Sequence, residues 1–397
     1  MIYLDVTSAA SSPMNMGVQR TVRGLYAHLK NRRTVTPLRW DFRSRCYARL
    51  SAREQNFLDH PFASYQQASG TPGLWDWRHW YEGWRDDWSR SKRGVEHAAL
   101  LENGNVLLIP DLCWDPRIHS WPLLSGFSGK KMAIFHDAMP LRIPGQADSH
   151  DALFAEYVRA LAHMDLVICI SREVEEDLLR YWKQFDLDPK PIQVITWPVP
   201  FSEERPANPP NQEAHQIIYV ARLKLRKNHL LLLDACESLW REGERFDLDL
   251  IGIEDAFTDT RKILRKVRAL AAQGRPVRWR KHINDSELAQ AYRDCSFTVF
   301  PSMMEGFGLP IIESLWHGRP VICGRNGAIG EVASGGGCHQ IDQNNVAELV
   351  SAIRLLLSDK RTYDRLYEEA RMRVFRHWED YGRELEPVLQ TQTAAMR

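Results

Sequence analysis

The chain has 397 residues, 44% of them hydrophobic and 26% charged, an ordinary balance for a globular protein of two or three domains. Its 52 Lys and Arg against 51 Asp and Glu leave a net charge near zero, which excludes a protein that grips nucleic acid along its whole surface. Seven scattered cysteines with no CxxC pair point to a reduced, cytosolic setting and away from a structural zinc site. No run of about 18 apolar residues is present to cross a membrane, and "MIYLDVTSAASS" lacks the basic and apolar stretches of a signal peptide.

The first strand pattern, "MIYLDVTS", runs through a loop of small residues into a helix opening at Gly17, with Arg20 one turn in. This is not GxGxxG, so a dinucleotide fingerprint is absent. Gly17 lets a ligand approach the backbone at a helix N-terminus; the plainer reading is an ordinary strand-to-helix turn. Next comes "LWDWRHWYEGWRDDWSRSKR", in which Trp77, Trp80, Tyr81, Trp84 and Trp88 fall at helical spacing. Such a stripe most often packs on its own domain. The alternatives for Trp80 and Trp84 are a stacking platform for an acceptor sugar or a membrane-surface contact.

Four strand patterns follow: "NVLLIPDL", "KMAIFHD", "LVICIS" and "IQVITWP". The second of these ends in His136 and Asp137 before a proline turn. Ligands of open α/β sheets bind beyond the carboxyl ends of strands, so His136 is a candidate for the site and Asp137 for orienting its ring or touching substrate. A lone histidine is otherwise more often structural. The stretch "PVPFSEERPANPPNQEAH", residues 198–215, has no periodicity and many prolines; it is an interdomain linker.

The second half repeats the alternation with "QIIYVAR", "FDLDLIGI", "PVRWRKHI", "SFTVFPS" and "PVICG". Arg222 closes the first of these strands and Lys227 precedes a helix starting near Asn228. Two cations there suit a diphosphate leaving group; Lys224 and Arg226 are compatible with a solvated loop. After "SFTVFPS" comes "MMEGFGLPIIESLWHG", where Gly306 and Gly308 permit a tight turn, Pro310 suits the first turn of a helix and Gly318 its end. The amides at that helix start suit phosphate. Glu305 on the loop and Glu313 near the first turn suit sugar hydroxyls; taken singly, they are a surface residue and a helix-dipole partner.

Continuous Val/Ile/Leu runs predict strands buried on both faces, hence parallel sheets. Strand–helix alternation in both halves predicts two doubly wound α/β domains with the ligand in a cleft between them. The predicted division is 1–205, 206–375 and a C-terminal helix at 376–397 that crosses back to the first domain.

Together these residues resemble the retaining glycosyltransferases of GT-B fold, family 4, formerly group 1. "EGFGLPIIE" is similar to that family's E-x7-E motif, "YVARLKLRKN" to its GRLxxxKN strand and loop, with Ala221 in place of the usual glycine, and "GAIGEVASGGG" with "IDQNNVAELVSAI" to its next segment. "FHDAMPLRIP" resembles the His-Asp motif of bacterial mannosyltransferases, and "CISREVEEDLLRY" the helix after it. Residues 43–100 match no pattern of the family.

The resemblance implies a fold of two Rossmann-like domains facing a cleft, and roles for individual residues. Arg222 and Lys227 would bind the donor diphosphate, Glu313 the ribose hydroxyls, and Glu305 the donor sugar, helped by the amides of Phe307, Gly308 and Leu309. His136 would lie beside the reacting face of the sugar, and Gly17 would approach the diphosphate or acceptor. No metal and no cofactor are implied. The expected partners are a nucleotide-sugar donor, GDP-mannose favoured over dTDP-rhamnose and UDP-sugars, and a glycan acceptor, with no nucleic acid. The expected place is the cytoplasm, with peripheral attachment at the inner membrane face or membership of a glycan assembly complex left open. A phosphorylase or epimerase, and a non-catalytic subunit that binds nucleotide sugar, are the rival readings.

Overall fold

The computed structural model describes the chain apart from residues 12–16, 61–104, 114, 127–128, 144–149, 200–204, 206–213, 255–259, 282 and 391–397. The tryptophan stripe with Trp80 and Trp84, and nearly all of the linker, lie outside the described residues. The chain forms two compact units: Met1–Pro200 with Arg376–Arg397 is unit 1, and Phe201–Phe375 is unit 2.

Unit 1 contains a seven-stranded sheet built from β1 (Ile2–Asp5), β2 (Val35–Asp41), β3 (Cys46–Arg49), β4 (Val106–Ile109), β5 (Lys130–Phe135), β6 (Leu166–Cys169) and β7 (Ile192–Val194). Their order across the sheet is β3-β2-β1-β4-β5-β6-β7. In β1, β4 and β6 every residue is buried, as expected of apolar runs covered on both faces. All pairings are parallel except β2 with β3.

That antiparallel pair departs from the predicted all-parallel sheet. It is a hairpin whose turn is held by Asp41, its carboxylate accepting from the amides of Arg43 and Ser44 at 2.9 and 3.4 Å. Pro37 obscured β2 in the sequence. The structure accommodates it because β1 pairs along Val35–Leu38 while β3 begins pairing only at Leu38. Pro37 therefore has no ladder bond to give on that second side.

The segment Arg376–Arg397 belongs to unit 1. Its helix Trp378–Leu389 seats the Trp378 ring where a side chain on Gly24 would stand, a built Cβ lying 2.2 Å away, and Gly382 lies equally close to the His28 ring. Only glycine permits those two approaches.

Unit 2 contains six strands, all parallel: β8 (Gln216–Val220), β9 (Asp247–Ile251), β10 (Val277–Arg280), β11 (Phe297–Phe300), β12 (Val321–Gly324) and β13 (Cys338–Ile341). The order is β10-β9-β8-β11-β12-β13. The chain lays β9 and β10 to one side of β8, then crosses to lay β11 on the other. The carboxyl ends of β8 and β11 thus flank a topological switch point, where loops diverge and leave a crevice. In unit 1 the same reversal falls between β1 and β4. Among the described residues no helix is long and apolar enough to cross a membrane.

Candidate functional site

The switch point of unit 2 brings together two loops far apart in sequence. After β8, Leu225–Lys227 makes a short 3-10 turn that Asn228 closes in the left-handed region, φ 59°. After β11 comes Pro301–Gly308. Their backbones are joined where Met303 N–H donates to the Arg226 carbonyl at 2.9 Å. A third loop, after β13, locks both: Asn228 Nδ2 donates to the Gln343 carbonyl at 2.7 Å, and Gln343 Nε2 to the Met303 carbonyl at 3.2 Å.

On this frame Glu305 sits between two cations. Lys227 Nζ and the Ser302 hydroxyl both donate to Oε1. Arg226 Nη1 lies 3.1 Å from Oε2 and also donates to the Met304 carbonyl at 3.0 Å. The Glu305 and Lys227 side chains are only 9% and 12% exposed. Burial alone would raise the Glu305 carboxyl, but Arg226 and Lys227, helped by the hydrogen bonds, hold it at about 2. Burial pushes the Lys227 ammonium down to about 8; Glu305 opposes that, and Arg226 adds to it. The cluster therefore holds more positive than negative charge, the arrangement of a site that takes an anion. The expectation of a solvated Arg226 is corrected: it is drawn inward by Glu305 Oε2 and the Met304 carbonyl.

Gly306, Phe307 and Gly308 are buried, and Gly308 adopts φ 113° as the cap of helix Leu309–Trp316, with Pro310 in its first turn. A left-handed cap has no side chain to occupy the helix end, so that end is left to backbone amides. Gly318 ends the helix at φ 68°. Glu313 is corrected in position. It is the fifth helical residue, beyond the first turn, and its buried carboxylate accepts from the Tyr292 hydroxyl at 3.0 Å. The helix begins at Leu309, so four residues precede Glu313 and carry it just past the first turn.

Arg222 follows β8 in a strand exit pressed against Gly252. The Gly252 φ is +145°, and a Cβ there would stand 2.2 Å from the Ala221 carbonyl oxygen. The residue that must be glycine for this close approach is thus Gly252, on the neighbouring strand end, while position 221 carries alanine.

In unit 1, His136 follows β5 and is 4% exposed. Its Nε2 lies 2.7 Å from the Pro110 carbonyl, which can only accept, so Nε2 carries the hydrogen and Nδ1 the lone pair in the neutral ring. Burial lowers its pKa. The ring stacks on Trp197, centroids 6.0 Å apart. The Pro110 carbonyl, not Asp137, takes the ring nitrogen; Asp137 instead accepts from Met139 N–H at 3.1 Å and steadies the turn that follows. Gly17 is the first residue of helix Gly17–Lys30, and a Cβ there would meet nothing within 4 Å. Its backbone therefore does not require glycine. Arg20 is half-buried on the same helix.

Sequence reasoning passed over a buried charge network at the switch point of unit 1. Arg117 Nη1 lies 3.0 Å from Asp5 Oδ2 and 3.3 Å from Asp111 Oδ2, with Asp115 at 2.6 Å from Nη2. Tyr47 and Thr7 also donate to Asp5. Burial pushes the Asp5 carboxyl up against the pull of Arg117. The available signal was the one used for His136: Asp5 ends β1 and Asp111 follows β4 at the carboxyl edge.

Residues 200–373 match the family model of the glycosyl transferases group 1, nearly the whole of unit 2. The serotype-specific mannosyltransferase WbdA of Escherichia coli is 28% identical over 257 residues, covering 58% of this chain and 30% of that protein. This chain spans under a third of that relative's length. Among solved structures, sucrose-phosphate synthase from Thermosynechococcus elongatus aligns with a TM-score of 0.65 at 18% identity, over 98% of this chain and 97% of that one. Anabaena HepE in complex with UDP and glucose aligns at 0.64 and 13%, over 98% of each. The fold is thus that of the GT-B glycosyltransferases, two Rossmann-like α/β units with parallel sheets. Unit 2 matches the group 1 glycosyl transferase model, and the chain resembles bacterial mannosyltransferases.

Proposed function

We propose that the chain is a retaining glycosyltransferase that moves a hexose from a nucleotide diphosphate sugar to a hydroxyl of a bacterial polysaccharide or lipid-linked glycan. The observation that carries this reading is the cation-rich Arg226–Glu305–Lys227 cluster at the switch point of the group 1 module. Mannose from GDP-mannose is the favoured donor, supported by the likeness to the serotype-specific mannosyltransferase.

In this reading Lys227 and Arg222 neutralise the charge that grows on the diphosphate as the glycosidic bond breaks. The backbone amides that open helix Leu309–Trp316 assist them. Glu305 and Glu313 accept hydrogen bonds from sugar and ribose hydroxyls. His136, neutral, offers Nδ1 to a sugar hydroxyl. The acceptor hydroxyl adds to the face from which the diphosphate departs, and its proton passes to the leaving phosphate oxygen.

The test is a screen of GDP-mannose, UDP-glucose and dTDP-rhamnose by melting temperature, followed by transfer to a mannosyl oligosaccharide with proton NMR of the new anomeric centre. A donor at 100 times its Kd adds about 2.7 kcal/mol of stability. GDP-mannose is expected to give the largest rise and an α-linked product. No rise with any nucleotide sugar would remove the reading; a rise with no acceptor-dependent release of nucleoside diphosphate would leave only the non-catalytic subunit.

A further inference from the structure

Arg226 is fastened to the opposite loop through both its backbone and its side chain. Its carbonyl accepts from Met303 N–H at 2.9 Å, and its guanidinium reaches the Met304 carbonyl at 3.0 Å and Glu305 Oε2 at 3.1 Å. Lys227, the next residue, takes the other oxygen of the same carboxylate. All three side chains are largely buried, Arg226 being 18% exposed. We infer that Arg226 is a positioning residue: it keeps Glu305 ionised and in place, so that Lys227 is released from the carboxylate to an anionic ligand. This rests on the reading of unit 2 as a nucleoside-diphosphate site.

The reason is charge balance. If Lys227 and Glu305 stood alone they would form a neutral buried pair. Drawing Lys227 toward a phosphate would then strip the only counter-charge from a buried carboxylate, which is strongly unfavourable. With Arg226 on Oε2, Glu305 keeps a partner when Lys227 leaves. The two cations are suited to unequal roles. Arginine offers a planar group whose Nη1 is here held by both the Met304 carbonyl and Glu305, whereas lysine is a single point charge on a flexible stem.

The surroundings of Lys227 agree. It is faced by Glu305, Arg226 and Lys224, by the Phe300 ring at 5.3 Å, and by His229, which burial keeps neutral. The Tyr219 hydroxyl binds its carbonyl. Burial first, then the surplus of cations, holds the ammonium at about 8 despite Glu305. An ammonium in that state gains most from a new anion.

The test has two arms on the full chain. In the first, the wild type, Arg226→Gln and Arg226→Lys are labelled with an amine-acylating reagent across pH 6.5–10.5, and Lys227 modification is read by mass spectrometry. The midpoint is expected to rise by about one pH unit in Arg226→Gln and to stay near the wild type in Arg226→Lys. An unmoved midpoint in Arg226→Gln overturns the sharing of Glu305.

In the second arm, calorimetry measures GDP, UDP and inorganic pyrophosphate binding. Affinity is expected to fall about tenfold in Arg226→Gln, the ordinary size of one coupling, and to recover in Arg226→Gln/Glu305→Gln, where no carboxylate competes for Lys227. A double variant as weak as the single one means that Arg226 touches the anion itself, and the positioning role fails. If the wild type binds none of the three probes while the labelling midpoint still moves, the nucleotide-site reading fails and the charge sharing stands.

Discussion

Replacing Glu305 by glutamine keeps the shape of the side chain and removes its charge. In the folded protein the carboxyl sits at about 2 instead of its ordinary 4.5, and the gap corresponds to about 3 kcal/mol of stability. The folded pKa is depressed, so this stability is fully present above about pH 4.5 and is lost as pH falls through about 2. At pH 3 the same linkage relation leaves less than half of it. For a unit of this size 1 kcal/mol moves Tm by about 2–4 °C. The wild type is therefore expected to melt about 6–12 °C above Glu305→Gln at pH 7, with the gap more than halved at pH 3. Scanning calorimetry of both proteins from pH 7 to pH 3 reads this, because titrating groups remote from the cluster cancel in the difference and Lys227, which Glu305 supports, is the one neighbour whose titration also moves. A gap that is small at pH 7, or large and independent of pH, would refute the claim that two buried cations hold this carboxylate.

Gly252→Ala forces a side chain against the Ala221 carbonyl at a φ of +145°, so it should lower Tm by several degrees and weaken GDP binding by disturbing the exit that carries Arg222; unchanged melting would show that the strand ends yield freely. Tyr292→Phe removes a hydrogen bond to the buried Glu313 carboxylate and should cost about 2 kcal/mol in urea unfolding; a loss below 0.5 kcal/mol, roughly the scale of an ordinary surface change, would mean that Glu313 leans on other partners. Asp5→Asn takes the most buried acid from Arg117 but leaves it Asp111 and Asp115, so it should destabilise unit 1 by about 1–3 kcal/mol through the weakened hydrogen bonds, with hydrogen exchange rising first in β1 and β4; protection lost equally in unit 2 would contradict two separate compact units.

Most of the strands that the sequence made legible are continuous apolar runs that lie buried on both faces, such as "VLLI" in β4 and "FTVF" in β11; "IQV" in β7 and "VRWR" in β10 were legible without that burial. The strands it hid break that rule. β2 carries Pro37 and mixed polarity, β3 pairs back on it as a hairpin, and β13, "CHQI", is an edge strand with only one buried residue. Candidate site residues were legible where a titratable group followed a strand, as with Lys227, Glu305 and His136. Glu313 was legible as an acid but not in its place, because its partner, the Tyr292 hydroxyl, lies 21 positions away.

Arg226 shows the boundary most clearly. From the sequence alone, a basic residue in a basic loop is solvated, and local chemistry offers it no partner. Composition, strand pattern and the glycine-rich turns determined by themselves that this is an α/β protein with charged loops at strand ends. Which charges meet was decided only in three dimensions. The crossover that sets β11 beside β8 brings residues 78 positions apart into contact, and burial there turns two solvated cations and an acid into one coupled group. Local propensity cannot encode that pairing, because it depends on strand order, and strand order is a property of the whole sheet.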